Sequence, residues 1–398
     1  MSILDRIKIW FESQRDIIPL SIILTTSPLP PLTTLNKVRE LGFYKYLPKG
    51  TNPILKEYSK KFREFYREIA EAHISGSEKR VEYFLEDKLE EFKSFAETGE
   101  LRVLSNIAML NSIAVILPPM ISVLMVLTNP LSTPLLLIGL SILSIVLILL
   151  LNLPNVTSLY SIKFKKAYLT LLILLAIPLY FLTENPYLAL LVPSIPLSIV
   201  SFIELKKELN ERENLLSIVK SAATGVNIFK YYKLNPEKFV KKYYGFMKGV
   251  AVALYLGYAF GSGEKMEALL KYYRIYLNTL KRIRLKTFTV IFYSFLMVSA
   301  AVSVLYLMEG SLREFRARTP DIPATFNFIQ LPSLSQLNEL EKYLDIAVVI
   351  NITAFALSCA MLREGNPLYF TIYLPLLLTI AVISKYITLT YFLPLLIR

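Results

Sequence analysis

Polar and apolar residues fall in long blocks along this chain, and the pattern inside each block is helical. In the first charged block Leu55, Tyr58, Phe62, Phe65, Ile69 and Ala72 recur every three or four residues, the spacing of one helical face. A helix start is predicted at Pro53, whose fixed φ suits a first turn. After Ser75-Gly76-Ser77 the pattern resumes at Val81, Phe84, Leu85, Leu89, Phe92 and Phe95. The two stripes predict an antiparallel helical hairpin with its turn at Gly76. In the second block Asn235-Pro236 opens one helix, and Gly261-Ser262-Gly263 precedes another. Met266, Leu269, Tyr273, Tyr276, Leu280 and Ile283 share a face of the latter. A second hairpin turn is therefore predicted at Gly261 and Gly263. No hairpin buries its stripe alone, so each block is expected to form a small helical bundle.

Apolar stretches follow both blocks, at about 103–128, 131–153, 167–182, 187–202, 287–308, 346–362 and 368–384. Roughly 20 apolar residues cross the hydrocarbon of a bilayer. The expected fold is an all-α, polytopic membrane protein with about seven transmembrane helices. Its parts are a first cytoplasmic helical domain (1–102), transmembrane helices (103–203), a second cytoplasmic helical domain (204–286), and further transmembrane helices (287–398) with an external loop (309–343). Arg102, Lys163, Lys165, Lys166, Lys206, Lys207, Lys281, Lys286 and Arg363 all fall on one side of that arrangement. The positive-inside rule makes that side the cytoplasm. Asn155-Val156-Thr157, a glycosylation pattern, then lies inside and is discounted. Ahead of the first block, Ile17–Leu24 is apolar but too short to span. It is expected to lie on the membrane surface or to pack on the first polar block; Asp5, Glu12 and Asp16 argue against a signal peptide.

The two blocks share anchors. Glu78-Lys79 and Glu264-Lys265 lie 186 positions apart, and Asn52-Pro53 and Asn235-Pro236 lie 183 apart. Near-equal spacing predicts a duplicated unit. Neither Gly nor Pro occurs from Glu264 to Met308, so the second long helix is expected to enter its apolar stretch unbroken.

Candidate chemistry narrows the picture mainly by what is missing. One cysteine, Cys359, and one histidine, His73, make neither an internal disulfide nor a metal cluster. Cys359 is expected to be packing and His73 to cap a helix end. Gly261-Ser262-Gly263-Glu264-Lys265 resembles a phosphate loop, but no lysine follows the last glycine directly and Met266 replaces the Ser or Thr. No charge lies inside an apolar stretch: Glu184, Glu204, Asp345 and Lys385 sit at ends, which disfavours an ion path. Asn106, Asn111 and Asn351 are expected to join helices. The chain is therefore expected not to be an enzyme and to need no cofactor.

The net charge of +13 is uneven. Residues 1–102 carry 17 Lys and Arg against 16 Asp and Glu, while residues 205–288 carry 17 against 6. Lys281, Arg282, Arg284 and Lys286, beside the fifth stretch, are expected to touch lipid headgroups. Lys241, Lys242, Lys248 and Lys271 lie farther away and are candidates for docking an acidic protein. Tyr231, Tyr232, Tyr243, Tyr244, Tyr272 and Tyr273 lie among them as possible anchors. No nucleic-acid motif accompanies the charge.

The turns at Gly76 and at Gly261 and Gly263, the Asn-Pro helix starts and the duplication resemble the type II secretion system F family. The nearest branch is archaeal, the membrane platform of type IV pili and the archaellum. The resemblance implies a multi-pass protein of the cell membrane that couples a separate cytoplasmic ATPase to pilin insertion. It further implies partners in pilin subunits, in lipid and in a second copy of the chain as a dimer. A membrane transporter with parallel repeats and a motor-free lipid-binding scaffold are the alternative readings.

Overall fold

The computed structural model describes residues 3–50, 55–76, 79–111, 133–152, 164–261, 263–318, 325–326, 329–330 and 333–397. It is all-helical but for one antiparallel pairing of two-residue strands, Thr325–Phe326 with Ile329–Gln330. The first helices are α1 (Ile3–Arg15), α2 (Ile17–Thr26), α3 (Pro31–Glu40), α4 (Lys60–Ser75) and α5 (Lys79–Asn111). Then come α6 (Thr133–Asn152), a 3-10 segment Ala167–Leu175 leading into α7 (Ala176–Thr183), and α8 (Pro186–Ala223). The second block holds α9 (Ile228–Tyr231), α10 (Pro236–Lys242), α11 (Gly245–Phe260) and α12 (Gly263–Lys286). The last helices are α13 (Phe288–Arg318), α14 (Leu334–Glu364), α15 (Phe370–Ile387) and, after a π-helical turn at Thr388–Phe392, α16 (Leu393–Ile397). Two compact units result. One combines Met1–Thr98 with Lys207–Ile283; the other takes Gly99–Val156, Ser161–Lys206 and Arg284–Arg398. The two polar blocks, expected as separate domains, thus share one unit and one hydrophobic core.

At the centre of the first unit lie α2 and α11. A helix apolar all round must be buried in protein or in lipid. Eight of the ten residues of α2 are buried, so it is a core helix and not a surface one. It packs on α11, in the second block instead of the first. Gly249 makes the approach possible: a Cβ there would stand 2.7 Å from the Pro19 carbonyl oxygen. Ahead of α2, α1 leaves Ile7, Trp10 and Phe11 exposed.

The hairpins form largely as the periodicity requires. Helix α4 buries Phe62, Phe65, Tyr66, Ile69 and Ala72 and ends at Gly76, whose φ is 66°. It starts at Lys60, not at Pro53, because the Ser59 hydroxyl accepts from the Phe62 amide at 3.2 Å and caps it there. Pro53 itself lies outside the described residues. In α5, Val81, Leu85, Leu89 and Phe92 are buried. Asn235 caps α10, but that helix stops at Lys242 and α11 begins afresh at Gly245. Gly261 follows with φ 73°, and Gly263 is the first residue of α12. All six residues of the predicted α12 face are buried. The His73 Nδ1 is buried without a hydrogen-bond partner and caps no carbonyl.

Within this unit α5 and α12 run side by side. Tyr272 donates to Glu82 at 3.2 Å, Lys271 pairs with Glu86 at 3.6 Å, Phe92 stacks on Tyr276 at 6.1 Å, and Arg282 reaches Glu97 at 3.9 Å. From Glu86–Lys271 through Phe92–Tyr276 to Glu97–Arg282 the pairings climb both helices together, so the two are parallel. Three of them join residues 184 or 185 positions apart.

The second unit contains the apolar stretches. Among the described residues four helices are long and apolar enough to cross a membrane: Pro186–Ala223, Lys265–Arg318, Leu334–Glu364 and Pro367–Leu396. The sequence reading expected seven. Leu135–Leu150 and Ala167–Thr183 are apolar but shorter, and most of 103–128 lies outside the described residues. Counting the bent pair α2–α3 as one span would make five. The expected unbroken entry from α12 is interrupted only by a turn residue at Thr287. The loop placed at 309–343 is mostly helix: α13 runs on to Arg318, and a capping box of Ser333 and Gln336 starts α14. Leu188, Val192, Ile195, Ile199 and Phe202 form an exposed stripe along α8, a face suited to hydrocarbon. Small polar side chains join helices inside: Ser144 to Asn351 at 3.1 Å, Ser201 to Thr371 at 2.7 Å and Ser299 to Ser384 at 2.9 Å. Cys359 is buried against Ser294.

Candidate docking surface and buried ionic clusters

The four lysines singled out for docking are all engaged. Lys241 pairs with Glu237 at 3.8 Å on its own helix, and Lys242 pairs with Glu211 at 3.5 Å. Lys271 is held by Glu86. Lys248 points inward: its Nζ donates to the Phe43 carbonyl at 2.6 Å and lies 4.1 Å from the centre of the Tyr44 ring. Desolvation at that site lowers the Lys248 pKa. Of the tyrosines, Tyr272 and Tyr273 are core residues, and Tyr231 stands out in solvent. Tyr273 donates to the Arg212 carbonyl at 2.8 Å, and the buried Arg212 guanidinium lies over Tyr276.

The juxtamembrane set also divides. Lys281 pairs with Glu213 at 3.2 Å and Arg282 with Glu97; both are mostly exposed. Lys286 is half-buried. Arg284 turns inward to Glu364 at 3.2 Å, instead of outward to lipid. Glu364 is fully buried, and its Oε1 also accepts from Tyr373 at 3.1 Å. Its Oε2 has no hydrogen-bond partner.

A larger cluster closes the other end of the same helices. Lys385 donates to Asp345 at 2.8 Å, pairs with Glu341 at 3.3 Å and lies 4.4 Å from the Tyr306 ring centre. Tyr306 bonds to Asp345 and meets Tyr187 at 3.0 Å. Arg313 bridges Glu309 at 2.7 Å and Glu341 at 2.8 Å. Helices α8, α13, α14 and α15 all contribute. In the sequence these charges read only as the ends of apolar stretches, and their signal is the i,i+4 spacing of Glu309 with Arg313 and Glu341 with Asp345. Glu309 is buried, whereas Lys385, Asp345, Glu341 and Arg313 keep partial exposure, so the ion pairs add little net stability and mainly orient the helix ends they join. Among the described residues no group of His, Cys, Asp and Glu suits a metal ion.

No protein-family model matches this chain, no curated protein matches its sequence, and no solved structure matches its fold.

Proposed function

We propose that this chain is a membrane-embedded platform that couples a separate cytoplasmic ATPase to pilin insertion, of the type II secretion system F kind. It sits in the cell membrane with about seven spans and with both polar blocks, products of a duplication, in the cytoplasm. It performs no catalysis itself and uses no cofactor.

One observation carries the reading: helical hairpins from both blocks pack together, with their long helices parallel and paired near one constant offset. In both, a sixteen-residue helix ends at a glycine with positive φ and gives way to a long helix. Phe62, Phe65, Tyr66 and Ile69 in α4, and Met247, Val250, Ala251 and Leu254 in α11, are all buried at an offset of 185. Such a unit offers a motor one body that leads into membrane helices at two points. The test is co-purification of the full chain in detergent with the cytoplasmic assembly ATPase of its own genome, together with filament counts after deletion. Retention of the ATPase and loss of filaments are expected; no retention, or normal filaments, sinks the proposal.

A parallel-repeat transporter is favoured by one feature, the partly buried cluster around Asp345 and Lys385. Proteoliposomes that dissipate a pH gradient only when Asp345 is intact would support it over the platform.

A further inference from the structure

Lys241, Lys242 and Lys271 pair with carboxylates and Lys248 points inward, yet other lysines of the second block have no acidic partner. Between Asn214 and Gly261 the chain has seven lysines and a single acid, Glu237. Lys220, Lys230, Lys233 and Lys238 are exposed and make no ion pair among the described residues. They lie along one edge of the first unit, from the end of α8 to α10. Ser221 meets the Tyr232 hydroxyl at 3.0 Å, and Phe229 contacts Phe239 at 5.7 Å and Tyr258 at 4.9 Å, which joins the pieces into one surface.

Apolar side chains stand among these charges. Tyr231 is 70% exposed, Tyr258 50%, Phe260 42% and Val226 39%. Beside them a groove of about 210 Å³ is lined by Val226, Ile228, Leu254, Tyr258 and Met266. Small-molecule sites occupy roughly 300–1,000 Å³, so this groove suits one inserted side chain better than a cofactor. Aromatic groups around a shallow pocket, rimmed by charge of one sign, are the anatomy of a protein interface.

The backbone adds an independent sign. Lys233 has φ 51°, left-handed, at the end of α9. Its amide bonds to the Lys230 carbonyl at 3.3 Å, and the Leu234 amide bonds to Phe229 at 3.0 Å. That is the helix-ending turn where glycine is preferred, because a side chain is strained there. Lys233 therefore occupies a position where glycine would be less strained.

The geometry points to this edge as the docking surface for a protein segment that is acidic and carries one large apolar side chain. The inference rests on the platform reading, in which that protein is the cytoplasmic motor. It moves the contact from Lys241, Lys242, Lys248 and Lys271 to Lys220, Lys230, Lys233 and Lys238. Exposed charges around an anchor act mainly through association rate and salt dependence.

The test uses the full chain in nanodiscs and the purified assembly ATPase of the same genome, titrated at low and at moderate salt. Lys230→Glu with Lys238→Glu should weaken binding about tenfold at low salt and flatten the salt dependence. Lys233→Gly should weaken it less while leaving or raising the thermal midpoint, so a lost fold cannot explain the effect. Val226→Trp, which fills the groove, should weaken binding at all salt concentrations. Unchanged affinity in these variants beside a wild type that binds overturns the surface and leaves the platform reading standing. A wild type that does not bind overturns both. A charge-reversal defect in flotation with anionic phosphatidylglycerol vesicles, or in self-association, with ATPase binding intact, assigns the edge to lipid or to a second copy and overturns the proposal.

Discussion

Helices α4 and α11 are each sixteen residues long and each ends on a glycine with positive φ, yet they live in different surroundings. Helix α4 carries a buried stripe and an exposed charged face. Helix α11 is covered on nearly every side, with α2 against it. Matching positions show how far environment, and not backbone, sets what a residue does. Glu64 is exposed on α4, while Gly249, 185 positions on, touches the backbone of α2. Arg63 points outward, while Lys248 is drawn under Tyr44.

The comparison breaks most readily on the long helices. Tyr276 on α12 is packed between Phe246 and Phe92, whereas Glu91, 185 positions earlier on α5, is exposed. Tyr276→Ala is expected to cost about 3–5 kcal/mol by thermal unfolding in detergent. Glu91→Ala should stay within about 0.5 kcal/mol. Equal effects would mean that the two helices are equally buried. On the short helices, Gly249→Ala sets a Cβ against the Pro19 carbonyl, and a loss of about 3 kcal/mol is expected. The counterpart Glu64→Ala should change stability by no more than about 0.5 kcal/mol; a tolerant Gly249 would show that α2 does not lie there.

A smaller effect separates the helix starts. Ser59 caps α4, whereas Tyr244, its counterpart, uses its hydroxyl on Glu208 at 2.6 Å and caps nothing. Ser59→Ala should lower stability by about 1 kcal/mol, read as a shift in the thermal midpoint. Indifference to this change would place the start of α4 elsewhere.

The mildest contrast is in pH. Desolvation lowers the folded pKa of Lys248 below its ordinary 10.5, so the unfolded chain holds that proton more tightly. Stability should therefore rise with pH from the lowered value towards 10.5. Burial raises Tyr44 and Tyr46 well above 10, so there the folded chain keeps a proton that the unfolded chain releases. Above about pH 10 that effect should pull stability down. Lys248→Met is expected to abolish the rise and keep the fall, while Arg63→Met should alter neither. A rise that survives in Lys248→Met belongs to another group.

How much of this was legible beforehand depends on range. The α12 stripe from Met266 to Ile283 and the turns at Gly76 and Gly261 follow from local periodicity and backbone preference. The helix ends were harder, because a cap such as Ser59 competes with Pro53 and only the surrounding packing decides. The meeting of the two blocks could not be read at all, since the partner of α2 lies more than 200 residues away and its apolar run looks the same in protein as in lipid. The charge count misled in a physical way. Net charge says how many cations a block holds, not which carboxylates of another block lie beside them, as Glu86 does beside Lys271.

That last pair has a consequence for the duplication proposed above. In a two-fold assembly of identical chains, a residue near the axis meets its own copy, so a glutamate there faces a glutamate and a lysine a lysine. Glu86 with Lys271, and Glu97 with Arg282, stand 185 positions apart and oppose unlike charges where such an assembly would oppose like ones. Once both halves lie in one polypeptide, each side mutates on its own. On the duplication proposed above, the acidic helix and the basic helix are a pair that a dimer of identical chains could not hold on its axis and that a single polypeptide permits.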